Sequence, residues 1–246
     1  MLRVRVTALI LLALTAAGCS TDDPVVEEPA ATPRSSASTD PSTTTGPSAT
    51  VAPTGFDSAS RRLTARERAA MTGVTWHEGC PVPLADLRVV RLTHRDFEGR
   101  RRTGRLVVHA DAVADVTAIF EKLYDLDYPI RRMVPIEAYD GDDFASIEAD
   151  NTSAFNCRAI TGGTAWSHHS YGRAIDVNPI ENPYVYSGGR TDHTGSQSYL
   201  DRSRERPGVL LPDSPEVAAF EDAGWFWGGR WTDPVDHQHF SSMPTG

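Results

Sequence analysis

Beyond its first twenty residues the chain has no long apolar run, so no later segment is expected to span a bilayer. It has no basic excess either. Lys and Arg number 24 against 33 Asp and Glu, a net charge of −9. Residues 1–60 hold three arginines and six acids, which leaves −6 to the remainder. An acidic domain without a basic stripe argues against nucleic acid as a partner. Internal repeats are absent. So is the strained Ser turn of the α/β-hydrolases, which argues against a serine hydrolase. The glycines after Trp227 lack the flanking pattern and the lysine of a phosphate loop. Cysteines number three, too few for a disulfide-built scaffold.

What is present begins with Arg3 and Arg5, followed by an almost wholly apolar stretch over 7–17. That stretch is too short to cross a bilayer and has the layout of a secretory signal. It ends in Ala16-Ala17-Gly18 directly before Cys19, which resembles the lipobox of bacterial lipoproteins. The resemblance implies cleavage after residue 18, lipid on Cys19 and an anchor on the outer face of the cell membrane. A plain signal peptide is the alternative. Residues 19–58 are rich in Pro, Ser, Thr and Ala and cannot bury enough surface to offset their ordering entropy, so a disordered tether is expected. Residues 59–246 have the size and apolar content of one domain, expected as a monomer.

Export gives Cys80 and Cys157 an oxidising compartment. They either bridge, closing a loop of about eighty residues worth roughly 4 kcal/mol in the chain-entropy model, or stay as two buried thiols. Thr64-Ala65-Arg66-Glu67 has the form of a capping box, with Gly73 past the end of a short helix. Leu87–Leu92 and Arg105–His109 read as strands joined by a turn at Asp96–Gly99. Asp111 is placed to cap a helix whose Val113, Val116, Ile119, Phe120 and Leu123 make one apolar face. Pro129–Tyr139 reads as another strand, Asp142–Asp150 as a short helix with Phe144 and Ile147 inward, and Tyr184–Pro212 as a surface loop. Ser214-Pro215-Glu216 opens a last helix, and a last strand is expected near Asp236–Phe240. Strands and helices do not alternate as βαβ units, so the expected class is α+β, a small antiparallel sheet flanked by helices.

Two segments carry chemistry: Ser167-His168-His169-Ser170-Tyr171-Gly172-Arg173-Ala174-Ile175-Asp176 and Asp233-Pro234-Val235-Asp236-His237-Gln238-His239-Phe240. Zinc takes imidazole nitrogen and carboxylate oxygen, and three protein ligands leave a position open for catalysis. Gly172 lets the chain turn between His169 and Asp176, while His239 can come from a neighbouring strand. Asp236, three residues earlier, is placed to act as general base. The bland alternative is a set of loop residues that merely hydrogen-bond.

The pattern Ser-x-His-x-x-Gly-x-Ala-x-Asp followed by Asp-x-x-His-Phe resembles the D-alanyl-D-alanine carboxypeptidase family of zinc peptidases, with its VanY-type carboxypeptidases and L-alanyl-D-glutamate endopeptidases. The resemblance runs over about residues 75–242. It implies a Hedgehog-type fold, zinc on His169, Asp176 and His239, Asp236 as base, and stem peptides of peptidoglycan as substrate. Members have a basic residue upstream for substrate or oxyanion. Arg158 is the candidate because it shortly precedes the first ligand motif, with Arg131 and Arg132 as weaker alternatives; many relatives carry an arginine where this chain has Ile136-Glu137-Ala138-Tyr139, which leaves the identity of the substrate arginine open. Ser167 is assigned to substrate binding. Ser241 replaces an acid found in some members. His168 is read as solvent-facing or supporting, and His237 as either a transition-state donor or a bystander. Trp227, with Trp225 and Trp231, either walls a cleft or belongs to the core. His193 is read as ordinary. A carboxypeptidase, an endopeptidase and an inactive wall-binding lipoprotein are the competing functions.

Overall fold

The computed structural model describes residues 55–244. Cys19, the signal segment and most of the tether lie outside the described residues. Among the described residues, no helix is long and apolar enough to cross a membrane.

Strands β1 (Ser58–Arg62), β2 (Leu87–Arg95) and β3 (Arg101–His109) form an antiparallel sheet in the order β1-β2-β3. The β2–β3 turn is tied by Asp96, whose carboxylate accepts from the backbone N–H groups of Glu98 and Arg100 at 3.0 and 2.8 Å. Helix α1 (Ala65–Met71) starts at the capping box, with Thr64 and Glu67 each closing the other's backbone N–H. Helix α2 (Val113–Asp125) lays Val116, Ile119, Phe120 and Leu123 on β2 and β3. Burying a side chain such as Phe120 contributes roughly 1.5–3 kcal/mol. Asp111 does not cap this helix. A 3₁₀ turn, Ala110–Ala112, intervenes, and the Asp111 carboxylate pairs with His109 and Arg173 instead.

The expected strand over Pro129–Tyr139 shrinks to β4 (Arg132–Met133), because residues 136–139 close into a 3₁₀ turn. Helix α3 (Asp143–Glu148), capped by Asp142, leads to β5 (Asn151–Thr152), which pairs with β4 in parallel. Five short strands follow: β6 (Ala174–Asp176), β7 (Tyr184–Val185), β8 (Phe226–Trp227), β9 (Val235–Asp236) and β10 (His239–Ser241). The expected last strand is thus two strands in different sheets. β6-β10-β8 is a second antiparallel sheet, and β7 pairs with β9. Helix α4 (Pro215–Glu221) is capped by Ser214 and stacks Phe220 on Phe240 at 3.7 Å. The segment 184–212 is largely exposed, as expected of a surface loop, but it is anchored inward at a few points: Leu210 and Ser196 are fully buried, and Arg202 reaches in to the carbonyl of Glu181 at 2.6 Å. The class is α+β, antiparallel except for the β4–β5 pair. One apolar core joins the first sheet, α2, the second sheet and α4. A smaller one gathers Leu63, Met71, Leu87 and Phe155 beside the Cys80–Cys157 disulfide, whose Cα atoms lie 6.1 Å apart.

Candidate active site

The site stands on one face of the second sheet. His239 is directly opposite Asp176 in the β10–β6 register, and side chains at such a pair project to the same face. Residues 168–171 form a 3₁₀ turn opened by Ser167, whose hydroxyl accepts from the His169 N–H at 3.3 Å. Gly172 ends the turn at φ +64°, and a Cβ there would meet the His109 backbone nitrogen at 2.6 Å. The chain therefore reverses tightly enough to bring His169 over β6. On the opposite side, a Cβ on Gly228 would meet the Asp236 carbonyl at 2.6 Å, so that glycine lets β9 approach.

The ligating atoms converge. His169 Nε2 lies 3.2 Å from both Asp176 Oδ1 and His239 Nδ1, and the last two are 3.0 Å apart. The three residues are 3, 4 and 7% exposed. His169 Nδ1 donates to the Ala154 carbonyl at 2.6 Å, which fixes the tautomer and turns the Nε2 lone pair toward the cluster. Ligands about 2.1 Å from a tetrahedral zinc sit about 3.4 Å from one another, so these separations fit a zinc ion after small outward shifts. Burial disfavours charge on His169, but the neighbouring Asp176 more than offsets it and holds the imidazole above its ordinary range. Asp176 is likewise held well below the usual carboxylate range, burial notwithstanding, by His169 and His239.

Asp236, 8% exposed, lies in the same cleft, and its Oδ1 is buried with no hydrogen-bond partner. Burial, and then the negative charge of Asp176, push its carboxyl up to about 7. An orphaned carboxylate oxygen beside a donor triad suits a group that accepts a proton from water.

The cleft has a volume of about 600 Å³. Arg158 is the only arginine that lines it among the described residues. Its backbone is clamped to the ligand turn: Ser170 Oγ accepts from the Arg158 N–H at 3.0 Å and donates to its carbonyl at 2.8 Å. The guanidinium bonds Asp143 at 2.8 Å. Arg131 and Arg132 lie outside the cleft. Arg131 is bonded to Asp150 at 2.9 Å and covers the Phe97 ring. Ser167 lines the cleft, but its hydroxyl is engaged in the cap.

Two assignments move. Trp227 is 2% exposed and lies in the core against Phe240, its Nε1 donating to the His237 carbonyl at 2.8 Å. Its register opposite Phe240 on β10 points it away from the cleft, and Trp231, 5.5 Å from the His239 ring, forms the wall instead. His237 does not line the cleft either. Its ring lies beside Trp227, and burial, followed by the charge of Arg202, lowers it to about 4.

The sequence did not assign the other wall residues to the cleft. Phe144, expected inward, is 54% exposed and faces the cleft with Ile147. His193 packs on Phe144 at 4.5 Å and bonds Glu148 at 2.6 Å. Tyr184 and Tyr186 meet edge to face at 4.8 Å, and their two-residue spacing, which puts both on one strand face, was the available signal.

Among curated proteins and solved structures, none matches the chain. A sequence model of one family does match, that described as D-alanyl-D-alanine carboxypeptidase, over residues 161–242. That stretch holds Ser167 through Asp176 and Asp236 through Phe240, and leaves Arg158 just outside. Over residues 161–242 the chain is thus similar to the D-alanyl-D-alanine carboxypeptidase family.

Proposed function

We propose that this protein is a zinc peptidase that hydrolyses a peptide bond in the stem peptides of peptidoglycan, releasing a terminal D-alanine. The observation that carries the reading is the meeting of three buried ligating atoms in one cleft with the Asp236 carboxylate, whose Oδ1 has no hydrogen-bond partner among the described residues. His169, Asp176 and His239 would hold the ion. Bound there, zinc would polarise the scissile carbonyl and make water more acidic. Asp236 accepts a proton from the attacking water and can return it to the leaving amine. Arg158 supplies a planar cation for the substrate's terminal carboxylate or for developing oxyanion charge. A lipid on Cys19 and the tether over 19–58 would hold the domain close to this substrate, outside the cell membrane.

One observation favours a second reading, cleavage within the peptide. Asp143 already holds the Arg158 guanidinium, an arrangement better suited to a chain passing through the cleft than to an end group. The deciding experiment measures bound zinc and D-alanine release from a stem pentapeptide with the full-length protein. Zinc near one per chain with D-alanine release supports the carboxypeptidase. Zinc with cleavage of intact sacculi and no D-alanine supports the endopeptidase. Zinc with neither activity leaves a wall-binding lipoprotein, and no zinc after reconstitution sinks the site.

A further inference from the structure

His168 and His169 are neighbours in one 3₁₀ turn, where successive side chains point about 120° apart. Only His169 enters the triad of ligating atoms. His168 stays half-buried on the cleft wall, its ring 6.2 Å from that of His239 and outside the triad. Its Nδ1 lies 2.7 Å from Ser241 Oγ. Ser241 is buried on β10, and its Oγ already accepts the Met243 N–H at 3.0 Å.

This bonding decides the tautomer. The Ser241 hydroxyl has a proton to place, and among the described residues its one acceptor is His168 Nδ1. A neutral imidazole carries a single N–H, so with Nδ1 accepting the proton sits on Nε2. Among the described residues no side chain or backbone group bonds Nε2, and the ring that carries it lines the cleft. A carboxylate at position 241 would instead draw a proton onto Nδ1 and favour the charged ring. The serine leaves a neutral donor.

We propose that His168 is a substrate-binding residue of this cleft: its Nε2–H donates to a main-chain carbonyl oxygen of the bound peptide, and Ser241 fixes the tautomer that allows it. This rests on the peptide-hydrolase reading. The chemistry distinguishes it from Arg158. A neutral N–H matches an uncharged acceptor, while the guanidinium serves a carboxylate or an oxyanion.

The test uses the full-length protein in two measurements. Nitrogen NMR of the histidine rings should show His168 protonated at Nε2 and bare at Nδ1. The signal is assigned by its loss in His168→Gln, and Ser241→Ala should mix the two tautomers. In stem-peptide hydrolysis, His168→Phe should raise KM about three- to ten-fold, the scale of one neutral hydrogen bond, and leave kcat within about two-fold. His168→Gln, which keeps an N–H donor, should recover most of that loss. Zinc content should stay the same in every variant. A proton found on Nδ1, or a wild-type KM in His168→Phe, overturns the proposal. If the wild-type protein hydrolyses no stem peptide, the peptidase reading fails and takes the carbonyl contact with it. The NMR result still decides the tautomer by itself.

Discussion

Asp176 and His239 face each other across the β6–β10 pair, their ligating atoms 3.0 Å apart. The sheet register thus builds two-thirds of the candidate metal site, and the 3₁₀ turn needs to supply only His169. An anion flanked by two imidazoles, all buried, costs free energy unless a cation or a proton compensates it. Asp176→Asn keeps the shape and removes the anion. It should lower zinc affinity by at least about tenfold and abolish hydrolysis, and His239→Ala should do the same. Zinc per chain after dialysis against a weak chelator checks this. Full retention of zinc in Asp176→Asn would place the ion elsewhere.

Asp236 lies within the cleft without being one of the three ligating residues. Asp236→Asn should therefore bind zinc like the wild type and lose about 10²–10⁴-fold in kcat, the scale of general base catalysis. Metal content and single-turnover rates measured side by side separate the two effects. Loss of zinc together with activity would make Asp236 a ligand.

The residues at this centre were legible because local geometry ties them to their spacing. A histidine, a turn glycine and an aspartate on an alternating strand can be aimed from sequence alone. The walls were not legible. Phe144 and Ile147 have the apolar character of core residues, and only the placement of α3 beside the cleft turns them outward from the core. Trp227 and Trp231 sit in similar glycine-rich surroundings, and the strand register opposite Phe240 is what sends the first into the core. Residues 129–139 failed as a strand although Ile130, Val134 and Ile136 keep a two-residue phase: the buried positions are Ile130, Met133 and Ile136, three apart, and a 3₁₀ turn satisfies the backbone after Pro135 at shorter range. His237 shares a segment with Asp236 and His239, yet points to Trp227 instead.

Arg158 and Asp143 form a pair that a substrate carboxylate would have to enter. Both side chains are about a third exposed, so the pair itself adds little stability. Arg158→Ala should lower kcat/KM by about 10- to 100-fold for substrates with a free terminal carboxylate. Asp143→Asn should lower KM for those same substrates by freeing the guanidinium. Comparing a stem peptide with its C-terminal amide reads this directly. Equal effects on acid and amide would remove Arg158 from carboxylate recognition and leave it an oxyanion role.

Asp96 is one of the carboxylates that contribute to the acid limb of stability. Burial alone would raise its carboxyl, but bonds from Arg102 and Arg100 at 2.8 Å and from two backbone N–H groups more than offset that, and it is held well below the usual carboxylate range. A carboxyl depressed in the folded state binds protons more readily when unfolded. Its contribution is therefore complete above the unfolded value of about 3.9 and is lost as pH falls toward the folded value. Asp96→Asn removes the charge at every pH. Urea unfolding should show the wild type more stable than the variant near about pH 5, with the gap narrowing steadily toward about pH 2. A gap that stays constant over that range would mean the β2–β3 turn depends on the shape of the side chain and not on its charge.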